Sequence, residues 1–239
     1  HTLSLHDALP IWDLPPQVRV LATTRPHVQV ARYLPDAYDR ALDLLADAPD
    51  RQEDVQRYVR MRLDPVDPPA RERAVKRITA AAGGIFLYAH LVVEEATGGD
   101  AEAVAEGALP EGLGGLYQRF LNREIGTRPA AWYDHYRPVL GALAVAQGDG
   151  LTRQQLAAIL GRDVALDRAL EACTPYLSVD SPDGPFRPFH QSFVDFLLDG
   201  AVNPYYRVDA VDAHRTIAEH VLDCRAHWAA CDDYGLRYG

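Results

Sequence analysis

Hydrophobic positions along the chain change their period twice. At 18–23 (VRVLAT) the residues are apolar and β-branched with little alternation, and Pro15 and Pro16 precede them. A strand buried on both faces has this pattern, so a parallel-sheet strand is predicted at 18–23. A weaker run at 40–45 reads as a short second strand. From Asp50 the spacing becomes helical: Val55, Tyr58, Val59 and Leu63 fall on one stripe, and Val75, Ile78 and Ala82 on the next, which Gly83-Gly84 ends. Positions 85–97 (IFLYAHLVVEEAT) are apolar on most sides, which predicts a deeply buried third helix closed by Gly98 and Gly99.

A small-residue segment, 100–111, holds Pro110 and is expected to link two units. Beyond it Leu113, Leu116, Tyr117, Phe120 and Leu121 define an amphipathic helix. Pro129 stands where the first turn of the next helix tolerates a missing N–H, and that helix is predicted to reach about residue 146. Thr152 with Gln155 three residues later is a capping-box pattern, opening a short helix that Gly161 stops. Another helix starts at Asp163 or Asp167 and passes Leu170 and Cys173. Segments 176–179 and 186–189, around the turn Ser181-Pro182-Asp183-Gly184, read as a two-stranded hairpin. Three helices followed by a hairpin is the winged-helix order. A further helix is predicted at 190–198 (HQSFVDFLL), stopped by Gly200 and Pro204, and one long helix at 208–231.

Composition narrows the class. With 239 residues, 48% of them hydrophobic, the chain can build a sizeable core in one large or two small domains. No stretch approaches the roughly 18 consecutive apolar residues of a membrane span, and no signal segment opens the chain, so a cytoplasmic location is expected and no membrane partner. Three cysteines without framework spacing (Cys173, Cys224, Cys231) fit free thiols in a reducing compartment. A net charge of -10 argues against nonspecific nucleic-acid or anionic-membrane binding, which need a positive field. Lys76 is the lone lysine; the bias to arginine and alanine points to a GC-rich genome more than to a function. Residue 1 is His and the only methionine is Met61, so a fragment is expected, cut at the N-terminus and, after Tyr238-Gly239, at the C-terminus too. Residues 1–11 (HTLSLHDALPI) resemble a translated sequencing adapter, and 1–12 are treated as an artefact or a disordered segment.

Five segments in order carry a family resemblance: Thr23-Thr24-Arg25-Pro26 at the end of the strand; 53–59 (EDVQRYV); 82–89 (AGGIFLYA); 109–113 (LPEGL) with Leu116-Tyr117; and 189–193 (FHQSF). Over about residues 13–239 the chain resembles the C-terminal half of a NACHT-type STAND NTPase, a signal-transduction ATPase often followed by WD-type propeller or helical repeats. The fold this implies is mostly α. It comprises the terminal strand or strands of a P-loop NTPase sheet (13–49), a helical lid subdomain (50–108), a winged-helix domain with a small β-hairpin (112–200) and the start of a further helical region (205–239). The resemblance implies ATP or ADP as ligand, with Mg²⁺ in the full-length parent. Arg25 matches the sensor arginine that reaches the γ-phosphate, with Thr24 and Pro26 supporting it. An always-charged planar fork at a strand end suits phosphate oxygens. His190 matches the histidine of the winged-helix motif that holds the ADP β-phosphate in the closed state; here Phe189 and Gln191 replace its methionine and aspartate. The implied partners are the nucleotide, a missing N-terminal NTPase half, and further copies of the chain upon activation. No G-x-x-x-x-G-K-[ST] loop and no strand ending in paired acids occurs, so this chain by itself is not expected to hydrolyse ATP.

Other constellations weigh less. His220, Cys224, His227 and Cys231 recur at i, i+4, i+7 and i+11 on the predicted last helix. They would spread over about 16 Å at 1.5 Å per residue, too far for one tetrahedral zinc, so packing against a neighbouring helix is expected. The recognition-helix position of the winged helix, 163–174, carries Asp163, Asp167 and Glu171 against Arg168, the wrong sign for DNA. Ser192 beside His190 lacks a G-x-S-x-G elbow. Two other functions remain in view: an interaction scaffold whose NTPase half has degenerated, and a transcriptional regulator of related architecture.

Overall fold

The computed structural model describes residue 17 and residues 48–238, with breaks at 65, 127–128, 162, 182 and 226–230. The expected strands at 18–23 and 40–45 lie outside these residues. The chain divides into two units, His1–Ala48 and Pro49–Gly239. The second unit is mostly α with one small antiparallel hairpin.

Helix α1, Ala48–Arg62, has its one proline, Pro49, in the first turn and buries Val55 and Val59, with Leu63 just past its end continuing the four-residue spacing. Two prolines open α2, Pro68–Ala82, in the turn whose N–H groups have no intrahelical acceptor, and Gly83 ends it at φ 53. Helix α3, Phe86–Glu95, buries Tyr88, Ala89, Leu91, Val92 and Val93, while Ile85 and Phe86 at its start are exposed.

Gly98 and Gly99 do not close this helix. The chain runs through a π turn, Ala96–Asp100, into α4, Ala101–Glu106, so the first half of the segment expected as a link is helical, while 107–111 are not. Two interior glycines cost about 1 kcal/mol each. Opposing them, Val104, Ala105 and Ala96 are buried, and one apolar side chain of valine size contributes about 1.5–3 kcal/mol. The Thr97 hydroxyl donates back to the Val93 carbonyl at 3.0 Å, and the Arg77 guanidinium on α2 donates to the carbonyls of Ala105 (2.8 Å) and Gly107.

Helix α5, Gly112–Ile125, buries Leu116, Tyr117, Phe120, Leu121 and Ile125. Its approach is pinned by the Tyr88 hydroxyl, which donates to the Pro110 carbonyl at 2.6 Å. After a helical turn at Pro129–Ala131, a second π turn, Trp132–Tyr136, brings both of its terminal aromatics into the core and leads into α6, Arg137–Val145. The capping box is present in both directions: the Gln155 N–H donates to Thr152 Oγ1 at 3.2 Å and the Thr152 N–H to Gln155 Oε1 at 2.8 Å, opening α7, Arg153–Leu160. Gly161 stops it at φ 61, and α8, Asp163–Cys173, follows. The hairpin pairs β1, Leu177–Val179, with β2, Phe186–Pro188, in the register Leu177 to Pro188, Ser178 to Arg187 and Val179 to Phe186. Leu151 adds a one-residue bridge to Phe186.

Helix α9, Gln191–Leu198, buries Phe193, Val194, Phe196 and Leu197. The long last helix expected at 208–231 is instead α10, Ala210–Arg225, and a separate α11, Asp233–Tyr238. Asp232 starts α11 by accepting the Gly235 N–H at 2.8 Å, and Tyr234 fixes its position, its hydroxyl accepting the Gln147 N–H at 3.0 Å. Cys231 therefore lies beyond the helix that carries His220, and the four-residue His/Cys face does not exist on one helix. A single hydrophobic cluster runs from Val55 on α1 to Tyr234 on α11. Among the described residues, no helix is long and apolar enough to cross a membrane.

Candidate functional site

His190 stands between β2 and α9. The Phe189 N–H donates to the Tyr176 carbonyl at 2.9 Å, closing the hairpin side. His190 is extended (φ -144, ψ 143) and caps α9 with its ring: Nδ1 accepts the Ser192 backbone N–H at 3.1 Å, and its carbonyl accepts the Phe193 N–H at 3.0 Å. An imidazole thus replaces the hydroxyl or carboxylate usual at this position. Because a backbone N–H can only donate, Nδ1 is an acceptor and the ring proton of the neutral form sits on Nε2. His190 is exposed, and Nε2 has no protein partner among the described residues.

Beneath the ring, Ser192 Oγ lies 2.8 Å from His190 Nδ1 and 2.7 Å from the Tyr117 hydroxyl. Tyr117 is buried on α5, against Tyr176, Phe193 and Phe196 with ring centroids 5.6, 5.0 and 5.4 Å away. Burial pushes its phenol above the ordinary tyrosine range, the Ser192 bond opposes this, and the Asp195 charge adds to it, so it stays protonated at neutral pH. On the other side Phe189 stacks on His90 of α3 at 5.9 Å, and His90 Nδ1 is 2.9 Å from the Tyr58 hydroxyl. Between α3, α5 and α9, a crevice of about 10 Å³ is lined by Leu87, Leu91, Tyr117, Tyr176, Phe189, His190 and Phe193. That is room for about one water. A phosphate does not fit inside it, and an anion reaching His190 would meet Nε2–H from the exposed side.

Of the residues singled out in the sequence, His190 is at a helix start, as expected, and is exposed. Arg25, Thr24 and Pro26 lie outside the described residues. Gln191, at the position of the family's aspartate, bonds within its own helix, Nε2 donating to Asp195 Oδ1 at 3.2 Å. Ser192 and His190 are in contact, but among the described residues no carboxylate orients the ring from Nε2 as the third member of a hydrolytic triad would. Burial pushes the Cys173 thiol up to about 12, which makes it inert. Among the described residues no group of three or more His, Cys, Asp or Glu side chains could hold a metal ion. Tyr117 was not legible as part of the site: it lies 75 positions before Ser192 and reads as a core aromatic. Compared with models of known families, with curated proteins and with solved structures, the chain matches none.

Proposed function

We propose that the chain is part of a nucleotide-switched signalling ATPase of the NACHT-type STAND class, working in the cytoplasm. It couples exchange of ADP for ATP to movement of its winged-helix domain and to homo-oligomerisation. Phosphate cradle and Mg²⁺ ligands belong to the parent's upstream half, and this chain by itself does not hydrolyse ATP. Arg25, flanked by Thr24 and Pro26, reads the γ-phosphate; His190 holds the β-phosphate of ADP. The observation carrying the reading is the order of the five motifs, ending in a histidine that is exposed and whose Nε2 has no protein partner among the described residues. A ring N–H donor suits a phosphate oxygen. The source gene provides the test. A glycine-rich loop ending in Lys-Ser or Lys-Thr, in frame upstream of Asp13, upholds the proposal, whereas an initiator methionine just before Asp13 removes the nucleotide roles of Arg25 and His190.

One observation favours a second reading, an interaction scaffold without nucleotide. His190 is already satisfied at Nδ1 by its own helix, and the crevice beside it is closed to a phosphate. On that reading ADP leaves the His190 ring signals unmoved.

A further inference from the structure

We infer that Tyr117 and Ser192 are positioning residues that, together with the Ser192 backbone N–H, hold His190 in one tautomer. The Tyr117 hydroxyl donates to Ser192 Oγ (2.7 Å), and Ser192 Oγ–H donates to His190 Nδ1 (2.8 Å), so that the ring presents Nε2–H outward.

The direction of this chain of bonds comes from counting donors. Nδ1 faces the Ser192 backbone N–H at 3.1 Å, and a protonated Nδ1 would set hydrogen against hydrogen. Nδ1 is therefore an acceptor, and the serine hydroxyl, also within reach of it, adds a second donor. The reverse polarity would have Ser192 donate to the Tyr117 oxygen. Tyr117 would then keep a buried proton with no acceptor, because Ser192 is its one hydrogen-bond partner among the described residues. With the polarity given, the Tyr117 proton has an acceptor, and the Ser192 N–H and Oγ–H share the single Nδ1 lone pair in a three-centre bond. The anchor is rigid, since Tyr117 is held among Tyr176, Phe193 and Phe196. An exposed ring on a helix end is thereby tied to the core of α5. Its offering is a directed N–H, which selects an anionic oxygen approaching along one line. That this oxygen is a nucleotide phosphate rests on the proposed nucleotide-switch function; the relay stands on the three distances.

The test is the imidazole ¹⁵N spectrum of the whole chain labelled at histidine, with the His190 signals assigned from their loss in His190→Gln. The expected result is an unprotonated Nδ1 and a protonated Nε2 in the neutral ring. Ser192→Ala, which keeps the backbone N–H at Nδ1 and removes only the hydroxyl, shifts the signals part of the way toward a mixture of tautomers, Tyr117→Phe, nearly isosteric, does so less, and Ser192→Thr retains the original pattern. A protonated Nδ1 in the unaltered chain overturns the inference, as does a pattern that neither Ser192→Ala nor Tyr117→Phe changes. ADP with Mg²⁺ is then added to the same labelled chain joined to the parent's upstream half. A shift of Nε2 upholds both readings; no shift with the tautomer intact upholds the relay and overturns the phosphate contact alone.

Discussion

Gly150 has φ +97, and a Cβ there would run into the Phe186 carbonyl that accepts the Leu151 N–H. Backbone region and space both demand glycine. Gly150→Ala is expected to lower stability by about 2–4 kcal/mol in urea unfolding, with loss of the Leu151 to Phe186 bridge. Cys173 gives a pH dependence at the same scale. Burial holds its thiol up, from 9.0 to about 12, so the folded state keeps a proton that the unfolded chain releases. The resulting stability is fully present below pH 9 and is lost as pH rises toward 12, at about 1.4 kcal/mol per pH unit. Tyr176, raised chiefly by burial, adds to the loss at the alkaline end. In Cys173→Ala, the fall in stability measured between pH 9 and 12 becomes shallower by that slope. Glycine conformation leaves a trace in sequence, because punctuation such as Gly83 and Gly161 recurs at helix ends. The burial that shifts a thiol leaves none.

At the scale of elements, local chemistry and packing divide the outcome. The Thr152 and Gln155 box forms as the spacing predicts, because both bonds close within one turn and need no distant partner. Thr152→Ala should cost about 1 kcal/mol, seen as faster amide exchange in the first turn of α7. Gly98 and Gly99 behave otherwise: the helix continues through them because burial of Val104 and Ala105 outweighs their propensity. The end of α9 depends on Asn203, fully buried, whose amide donates to the Phe196 carbonyl at 3.2 Å and whose oxygen accepts the Tyr206 N–H at 2.8 Å. Asn203→Leu strands both backbone groups and is expected to cost about 2–4 kcal/mol in thermal or urea unfolding. Nothing in the local sequence, Ala201-Val202-Asn203-Pro204, distinguishes this asparagine from one in an exposed turn.

Across the whole unit Pro49–Gly239, one hydrophobic cluster joins α3, α5 and α9, and Tyr88 crosses the segment between α4 and α5 to hold the Pro110 carbonyl. The central amides of α3 and α5 are therefore expected to exchange through a common opening, with equal protection free energies in native-state hydrogen exchange. Separate values would mean that the two halves open independently. Many charges on this acidic surface are paired, among them Arg153 with Asp167 and Arg187 with Asp180, both solvent-exposed pairs of small individual worth.

By itself the sequence determined what depends on neighbours a few residues apart: the helical stripes, the capping box, the hairpin and its turn, and a histidine at the start of a helix. These come from periodicity and from bonds within one turn, which the order of residues states directly. The tertiary structure alone decided that the chain passes through Gly98-Gly99 as helix, that Cys231 and Asp232 are not helical and separate α10 from α11, and that Tyr117 reaches Ser192 under the His190 ring. Each of these is a contest between a local preference and contacts with residues far along the chain, and the burial that settles it comes into being only when the core assembles.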